Sequence, residues 1–402
     1  MSHHRPPPPD PSRVASDLEA AARAFFPDAT RIEPVADRDH LVRVTAPAGS
    51  WRVRRWPPGS TRQQMAFVHD LLATMRRAGI TFVPAPASLP ESSDGAIFVR
   101  DGNFYDARSW LPGTAAGRSL IGWHATTPVI NLPTVIAEEA VTPLVEAIAR
   151  AHRASEALAR PPEAPAASLP DVVTAVQRAW SAQRGRLRPV APYRPPVQRW
   201  LALGERALPA SLAALAAVTG TEPAEQTGAT VLHLSLWPSH LVIDDRSSPT
   251  GYEVGLIGWD GAAVGSPLLD LAQLITRGQG WSAVNAERTL ATYTALRPLS
   301  PEERRLLPAI AALDLVATAG YLLDRAYVPA ADGDDPVPPT ALRAGADALI
   351  TSLETVTNLL TQADSRGGGA RKWTPRRDGG GKSAASPSRR GPPSRRTPAR
   401  HR

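Results

Sequence analysis

The 402-residue sequence has no cysteine. Disulfides, thiolate metal sites and cysteine nucleophiles are excluded, and no oxidising compartment is implied. Lysine is nearly as scarce. The two in the chain, Lys372 and Lys382, both lie near the C-terminus, so the body of the protein has none. The start, MSHHRPPPPD, lacks the apolar stretch of a signal peptide. The longest apolar segment, Leu306 to Leu323, carries Asp314 near its middle and reads as a buried helix. No transmembrane segment is expected, and the expected location is cytoplasmic.

Acidic residues are scarce in one region only. From Arg366 to Arg402 the chain holds twelve of its 45 Lys and Arg and a single acid, Asp378. The remainder carries 33 basic against 37 acidic residues, a net −4, so the formal +7 of the whole chain belongs to the tail. The tail is rich in Gly, Ser, Pro and Arg, cannot build a core and is expected to be disordered over residues 363–402. It reads as a solvated extension. Weak, non-specific contact with an anionic partner, nucleic acid or a membrane surface, is the sharper alternative. Trp373 is its single aromatic residue, which argues against a stacking platform.

Apolar residues make up 43 % of the chain, enough for one large two-lobed domain or two ordinary ones. Residues 1–15 are Pro-rich and read as extended or disordered. Ser16 to Phe26 reads as a short helix capped by Ser16 with Glu19 three residues on. Leu41–Thr45 and Trp51–Trp56 form a hairpin about the turn at 46–50, and Ala96–Arg100 pairs with Phe104–Trp110 about Asp101-Gly102-Asn103. Between them, Arg62–Ala78 has helical apolar spacing and ends at Gly79. Further on the pattern becomes helical: 141–157, 171–184, 197–216 (with a break or kink at Pro209), 267–276, 285–296, 301–327 and 339–362. Ser300, Pro301 and Glu303 form a helix-start signature with a capping box. One β-hairpin interrupts the helices, pairing Leu241–Ile243 with Glu253–Ile257. These elements predict an α+β fold in two lobes, β-rich over 16–112 and helical over 113–362.

Several stretches, taken in order, are similar to the aminoglycoside phosphotransferase family within the choline-kinase and homoserine-kinase-like group. Trp51-Arg-Val-Arg-Arg-Trp-Pro-Pro-Gly resembles its third strand. Phe104–Gly113 resembles its entry to the hinge, and Val145–Arg153 its "LA..lH" helix. His233-Leu-Ser-Leu-Trp-Pro-Ser-His240 resembles the H-G-D-x-x-x-x-N catalytic loop. Ile257-Gly-Trp-Asp260 and Gly265-Ser-Pro-Leu-Leu-Asp270-Leu-Ala resemble the I-D-W/F-D and G-x-P-x-x-D-L-A motifs that follow. The resemblance implies a protein-kinase-like fold and ATP- and Mg²⁺-dependent phosphoryl transfer to a small molecule. In such a site a loop aspartate accepts the substrate proton, and an asparagine and a second aspartate hold the metal. A strand lysine, itself held by a helix glutamate, grips the phosphates.

This sequence departs at each of those positions. Ser235 stands at the catalytic aspartate and His240 at the metal asparagine, with the five-residue spacing kept. Gly258 stands at the metal aspartate. Arg54 is the match for the strand lysine, Val68 for the helix glutamate, and the cover loop Val35–His40 has no glycine. The matches that remain, including His233, Trp259, Gly265 and Asp270, are ones that shape the loop; the resemblance makes His233 and Asp270 its braces. Each replacement has two readings. Ser235 is a nucleophile beside His240, or a serine filling a vacated site. His240 is a metal ligand, or a loop histidine. Asp260 is a lone Mg²⁺ ligand, or an acid that merely follows the family pattern. Arg54 is a bidentate phosphate grip, or an exposed strand arginine beside Arg52, Arg55 and Trp56.

Two functions follow. The preferred one is a pseudokinase that binds a small-molecule ligand or a protein partner in the interlobe groove, with ATP and Mg²⁺ involved only if nucleotide binding is retained. The alternative is an active ATP-dependent small-molecule O-phosphotransferase in which Asp260 holds Mg²⁺ and Arg54 grips phosphate.

Overall fold

The computed structural model describes residues 11–35, 38–90, 95–117, 119–120, 130–156, 164–219, 230–244, 253–328 and 339–365. Residues 1–10, the basic tail from residue 366, the turn at 245–252 and part of the cover loop lie outside them; the last helix reaches Ser365, so the expectation of disorder fails for 363–365.

The first helix, α1 (Pro11–Phe25), starts earlier than Ser16. Pro11 opens it, a position where the missing N–H costs nothing, and Glu19 pairs with Arg23 at 3.0 Å instead of completing a cap. The expectation of extended chain therefore fails for 11–15. Five antiparallel strands follow: β1 (Arg31–Val35), β2 (Arg38–Ala46), β3 (Gly49–Arg55), β4 (Phe98–Arg100) and β5 (Asn103–Ser109), in the order β1-β2-β3-β5-β4. β1 carries no alternation that could have announced it; Pro34 lies within it and its residues are exposed or half-buried. Helix α2 (Arg62–Arg77) is inserted between β3 and β4. Thr61 caps it at 3.1 Å from the Gln64 N–H.

Strand alternation gives this sheet two unlike faces. Val42, Val44, Val53, Tyr105 and Ala107 pack with Leu18, Ala22, Phe25 and Phe26 into one apolar core. Their neighbours Arg43, Arg52, Arg54, Asp106 and Arg108 therefore project from the opposite face. The register sets Arg43 across from Arg52, Arg52 across from Arg108, and Arg54 across from Asp106.

The rest of the described chain is mostly helical. Three short strands, β6 (Thr114–Ala115), β7 (Ser119–Leu120) and β8 (Ile130–Asn131), precede α3 (Glu138–Glu156). Then come β9 (Ala166–Ala167), α4 (Leu169–Leu187), α5 (Pro195–Thr219) and β10 (Thr230–Leu232). The hairpin of β11 (Leu241–Asp244) and β12 (Glu253–Leu256) leads to β13 (Ala263–Gly265) and to α6 (Leu268–Gly278), α7 (Ala283–Leu296), α8 (Pro301–Tyr327) and α9 (Pro339–Ser365). Of the break or kink expected at Pro209, the break does not occur: α5 runs on through it. An interior proline costs about 3 kcal/mol; here the helix is held by packing against α8 and α9, which buries Ala207, Leu208, Ala210 and Leu215.

By length and composition α5 and α8 are apolar enough to cross a membrane. In α8 that apolarity is used internally: the helix packs on α4, α5, α6 and α9, and Asp314 is paired with Arg277 and bonded by Thr276 Oγ1 at 2.9 Å. The capping box at its start is made in both directions, Ser300 with Glu303. The connection between sheet and helices passes over the hairpin, β6 pairing with β11. Gly113 permits this approach. Its φ is +102°, and a Cβ there would lie 2.5 Å from the Ile243 carbonyl oxygen.

Candidate functional site

The site lies where the inner face of the sheet meets the loop between β12 and β13. Arg54 is buried, not the exposed strand arginine of one sequence reading. Its Nε donates to Asp106 Oδ1 at 2.9 Å, and its two terminal nitrogens hold both carboxylate oxygens of Asp260, in a one-turn helix at Trp259–Gly261. Arg108 donates from Nε to Asp106 Oδ2 at 2.7 Å and brings Nη1 within 3.4 Å of Asp260. His69 completes the cluster. A carboxylate can only accept, so Nε2 donates to Asp106 at 3.1 Å. Both guanidinium groups lie over the Trp56 ring, 4.4 and 5.4 Å from its centroid, in cation–π range. The Gln64 side chain donates to the Asp260 carbonyl at 2.9 Å, adding a second tie from α2.

The electrostatics follow from burial and charge order. Burial disfavours the charge on Arg54, but Asp106 and Asp260 more than reverse this and raise its pKa. For Asp106, burial is outweighed by Arg108 and Arg54, which hold its carboxyl well below the usual range. Arg54 and then Arg108 do the same for Asp260. All three charges stay on near neutral pH.

Asp106 was missed in the sequence reading. The resemblance puts the holder of residue 54 at position 68, where this chain has Val68, which is buried and apolar. The acid comes from β5, and the next residue of α2, His69, joins it. The available signal was an aspartate inside a strand whose alternating neighbours, Tyr105 and Ala107, are core residues.

The loop is built on Asp270. Its carboxylate accepts from the His233 N–H at 2.7 Å, the Leu234 N–H at 2.8 Å and His152 Nε2 at 3.0 Å. His152 is in turn bonded through Nδ1 to Tyr293 Oη at 2.9 Å. The His233 ring spans the loop, donating from Nε2 to the Ile257 carbonyl at 2.8 Å and accepting the Ser235 N–H at Nδ1. Burial lowers its pKa, and this bonding needs the neutral ring. Leu234 takes φ 55°, a costly conformation for a branched side chain, and Asp270 holds it in place.

Ser235, His240 and Gly258 come together. His240 Nδ1 is 2.7 Å from the Ser235 carbonyl oxygen, which only accepts, so Nδ1 carries the proton. Ser235 Oγ, 3.2 Å away, therefore faces a donor and not a base. The imidazole also fills the space beside Gly258. A Cβ on Gly258, where φ is +83°, would lie 2.7 Å from Nδ1 and 2.8 Å from Cγ. Gly258→Asp alone is expected to cost about 2 kcal/mol or more through backbone strain and this collision. With His240→Asn added the penalty should shrink, by at least about 0.5 kcal/mol of coupling in a urea-denaturation double-mutant cycle. Additive costs would mean the ring is not what excludes a side chain.

The residues therefore do not fit Mg²⁺. Residue 258 offers no oxygen, both oxygens of Asp260 are engaged by Arg54, and a guanidinium beside them repels a dication. Among the described residues no group of three or more His, Asp or Glu is arranged to hold a metal.

This architecture is shared with solved structures. The aminoglycoside phosphotransferase from Alicyclobacillus acidocaldarius subsp. acidocaldarius DSM 446 aligns at 17% identity and TM-score 0.57, covering 90% of this chain and 99% of that one. A microcompartment-associated aminopropanol kinase aligns at 15% identity and TM-score 0.53, covering 88% and 98%. Spectinomycin phosphotransferase, in complex with ADP and spectinomycin, aligns at 8% identity and TM-score 0.51, covering 87% and 98%. These likenesses carry the fold: an antiparallel N-terminal sheet joined to a mostly helical part. No curated protein sequence matches the chain. The model of the phosphotransferase enzyme family, APH, matches residues 28–307, well over half of the sequence, and the chain belongs to that family.

Proposed function

We propose that this family member is a pseudokinase, which acts by binding a small-molecule ligand or a protein partner in the interlobe groove and transfers no phosphoryl group. The observation that carries this reading is the bidentate Arg54–Asp260 pair. It joins β3 to the loop after the hairpin and occupies the carboxylate that would otherwise be nearest a metal. A cation of the protein thus takes the part of the metal, and the two sides of the groove are tied without nucleotide. The loop keeps its bracing through Asp270 while Ser235 has no base and position 258 no carboxylate. Loss of proton acceptor and metal ligands together leaves transition-state charge uncompensated, and each such loss costs orders of magnitude in rate.

The test is ATP turnover by the full chain with Mg²⁺ present, against acceptors that include aminoglycosides and amino alcohols. The expected result is no turnover above background, and no Mg²⁺-dependent rise in melting temperature with ATP. Turnover that is abolished by Asp260→Asn would overturn the proposal and establish the active phosphotransferase instead.

A further inference from the structure

The inner face of the sheet carries more positive charge than its carboxylates balance. Among the described residues it holds Arg43, Arg52, Arg54 and Arg108 against Asp106 and, from the loop, Asp260. Arg54 uses all three of its nitrogens on those acids. Arg108 is completely buried and is bonded to Asp106 through Nε. Arg43 is exposed, lies over the Trp110 ring at 4.8 Å and reaches Ser50. Arg52 is different. Its Nε and Nη2 are buried and have no hydrogen-bond partner. Its cross-strand neighbours on the two sides are both arginines, Arg43 on β2 and Arg108 on β5. Like charges directly opposite one another destabilise a sheet, and buried charged N–H groups with no acceptor are costly, even though Asp106 and Asp260 lie near enough to favour the charge. Burial first, then Arg108 and Arg54, push its pKa down to about 9.

The geometry of the orphan atoms says what is missing. Nε and Nη2 form one edge of a guanidinium, two parallel N–H groups at the spacing of two oxygens on one atom. The same edge of Arg186 takes both oxygens of Asp324, each at 2.8 Å. In Arg52 the same edge has no hydrogen-bonded acid among the described residues. The neighbouring Arg108 nitrogens Nη1 and Nη2 also lack a hydrogen-bond partner, although they lie in ion-pair range of Asp260 and Asp106.

We infer that the Arg43–Arg52–Arg108 row is a metal-independent site for a phosphate-type oxyanion, gripped by the Nε–Nη2 edge of Arg52. This deepens the pseudokinase reading by naming the chemical class of ligand the groove takes, and it rests on that reading only in that no metal is required. The oxyanion is free phosphate or the phosphoryl end of a larger ligand; either meets the same fork.

The experiment uses the full chain in EDTA, titrated with inorganic phosphate and separately with ADP, with chloride at matched ionic strength as the control. Melting temperature and calorimetric Kd are read for the unmodified protein, for Arg52→Met and for Arg52→Lys. Phosphate or ADP should raise the melting temperature of the unmodified protein by about 2 °C or more once well above Kd. Arg52→Met should weaken Kd at least about tenfold and should melt no lower than the unmodified protein without anion, because it removes an uncompensated cation. Arg52→Lys keeps the charge but not the fork and should also bind at least a few-fold more weakly. A rise with ADP but not phosphate would identify a phosphoryl-bearing ligand, provided Arg52→Met removes it. No response to either, or an equal response in Arg52→Met, would overturn the site; the second result would place the anion elsewhere, for example on the basic tail. ATP turnover with Mg²⁺ in the same preparation would overturn the pseudokinase reading alone, so the two failures are distinguishable.

Discussion

Asp106→Ala is expected to destabilise the folded chain by about 3–5 kcal/mol, the range for removing one partner from a buried ion-pair cluster. The side chain is buried, and it accepts from Arg54 Nε, Arg108 Nε and His69 Nε2. Alanine would leave Arg54 and Arg108 to share Asp260 alone, and His69 Nε2 without an acceptor. Urea denaturation followed by tryptophan fluorescence reports the change, and a loss below about 1 kcal/mol would show that Asp106 is not the centre of the cluster. The pH dependence gives a second readout. The carboxyls of Asp106 and Asp260 are held below their ordinary value. The unfolded chain therefore binds more protons than the folded one in the window beneath an ordinary aspartate pKa of about 4. Their contribution is complete above that value and is lost as pH falls through the lower folded values. Asp106→Ala should flatten this acid limb of the stability curve; an unchanged limb would assign acid sensitivity to other carboxylates.

The same cluster shows where the sequence was readable and where it was not. Alternation in Trp51–Trp56 and Phe104–Trp110 located β3 and β5 closely, because one face of each packs on an apolar core and register cannot slip by one residue without exposing it. The capping box at Ser300–Glu303 was legible for a similar reason: it is a local hydrogen-bond pattern with fixed spacing. Local signals did not reveal β1, whose residues are exposed or half-buried and which exists because β2 offers it a paired edge. Nor did they mark the start of α1, where contact with the sheet stabilises a Pro-initiated turn that propensity alone leaves undecided. At the site, motif spacing singled out Ser235, His240 and Gly258, which the fold places side by side. It could not show that the His240 ring fills the space beside Gly258, or that Arg54 reaches Asp260, because both are contacts between segments far apart in sequence. The separation of Arg54 from Asp260 is 206 residues. Asp106 stands at no position to which the family pattern assigns chemistry, because the acid that takes the place of the helix glutamate comes from strand β5.

Asp270→Ala is expected to cost about 3–5 kcal/mol, comparable to Asp106→Ala, although Asp270 touches no part of the arginine cluster. It is fully buried and satisfies two consecutive backbone N–H groups and His152. Each buried donor left without an acceptor costs about 1–3 kcal/mol, and Leu234 would no longer be held at positive φ. Ser235→Ala, by contrast, removes a hydroxyl whose neighbour, His240 Nδ1, is already bonded to a carbonyl, and should change stability by less than about 0.5 kcal/mol. Hydrogen exchange of the Leu234 amide separates the effects: Asp270→Ala should accelerate it strongly, and Ser235→Ala should not. A cost below about 1 kcal/mol for Asp270→Ala, or equal costs for the two changes, would contradict the bracing role. The contrast matters for function. A strained turn kept in place through a buried carboxylate, while the position inside that turn carries no base, is what the proposed binding role requires of the loop. The Arg54–Asp260 pair ties the segment after the hairpin to β3, so two separate sets of buried charges hold the two ends of the stretch from His233 to Asp260.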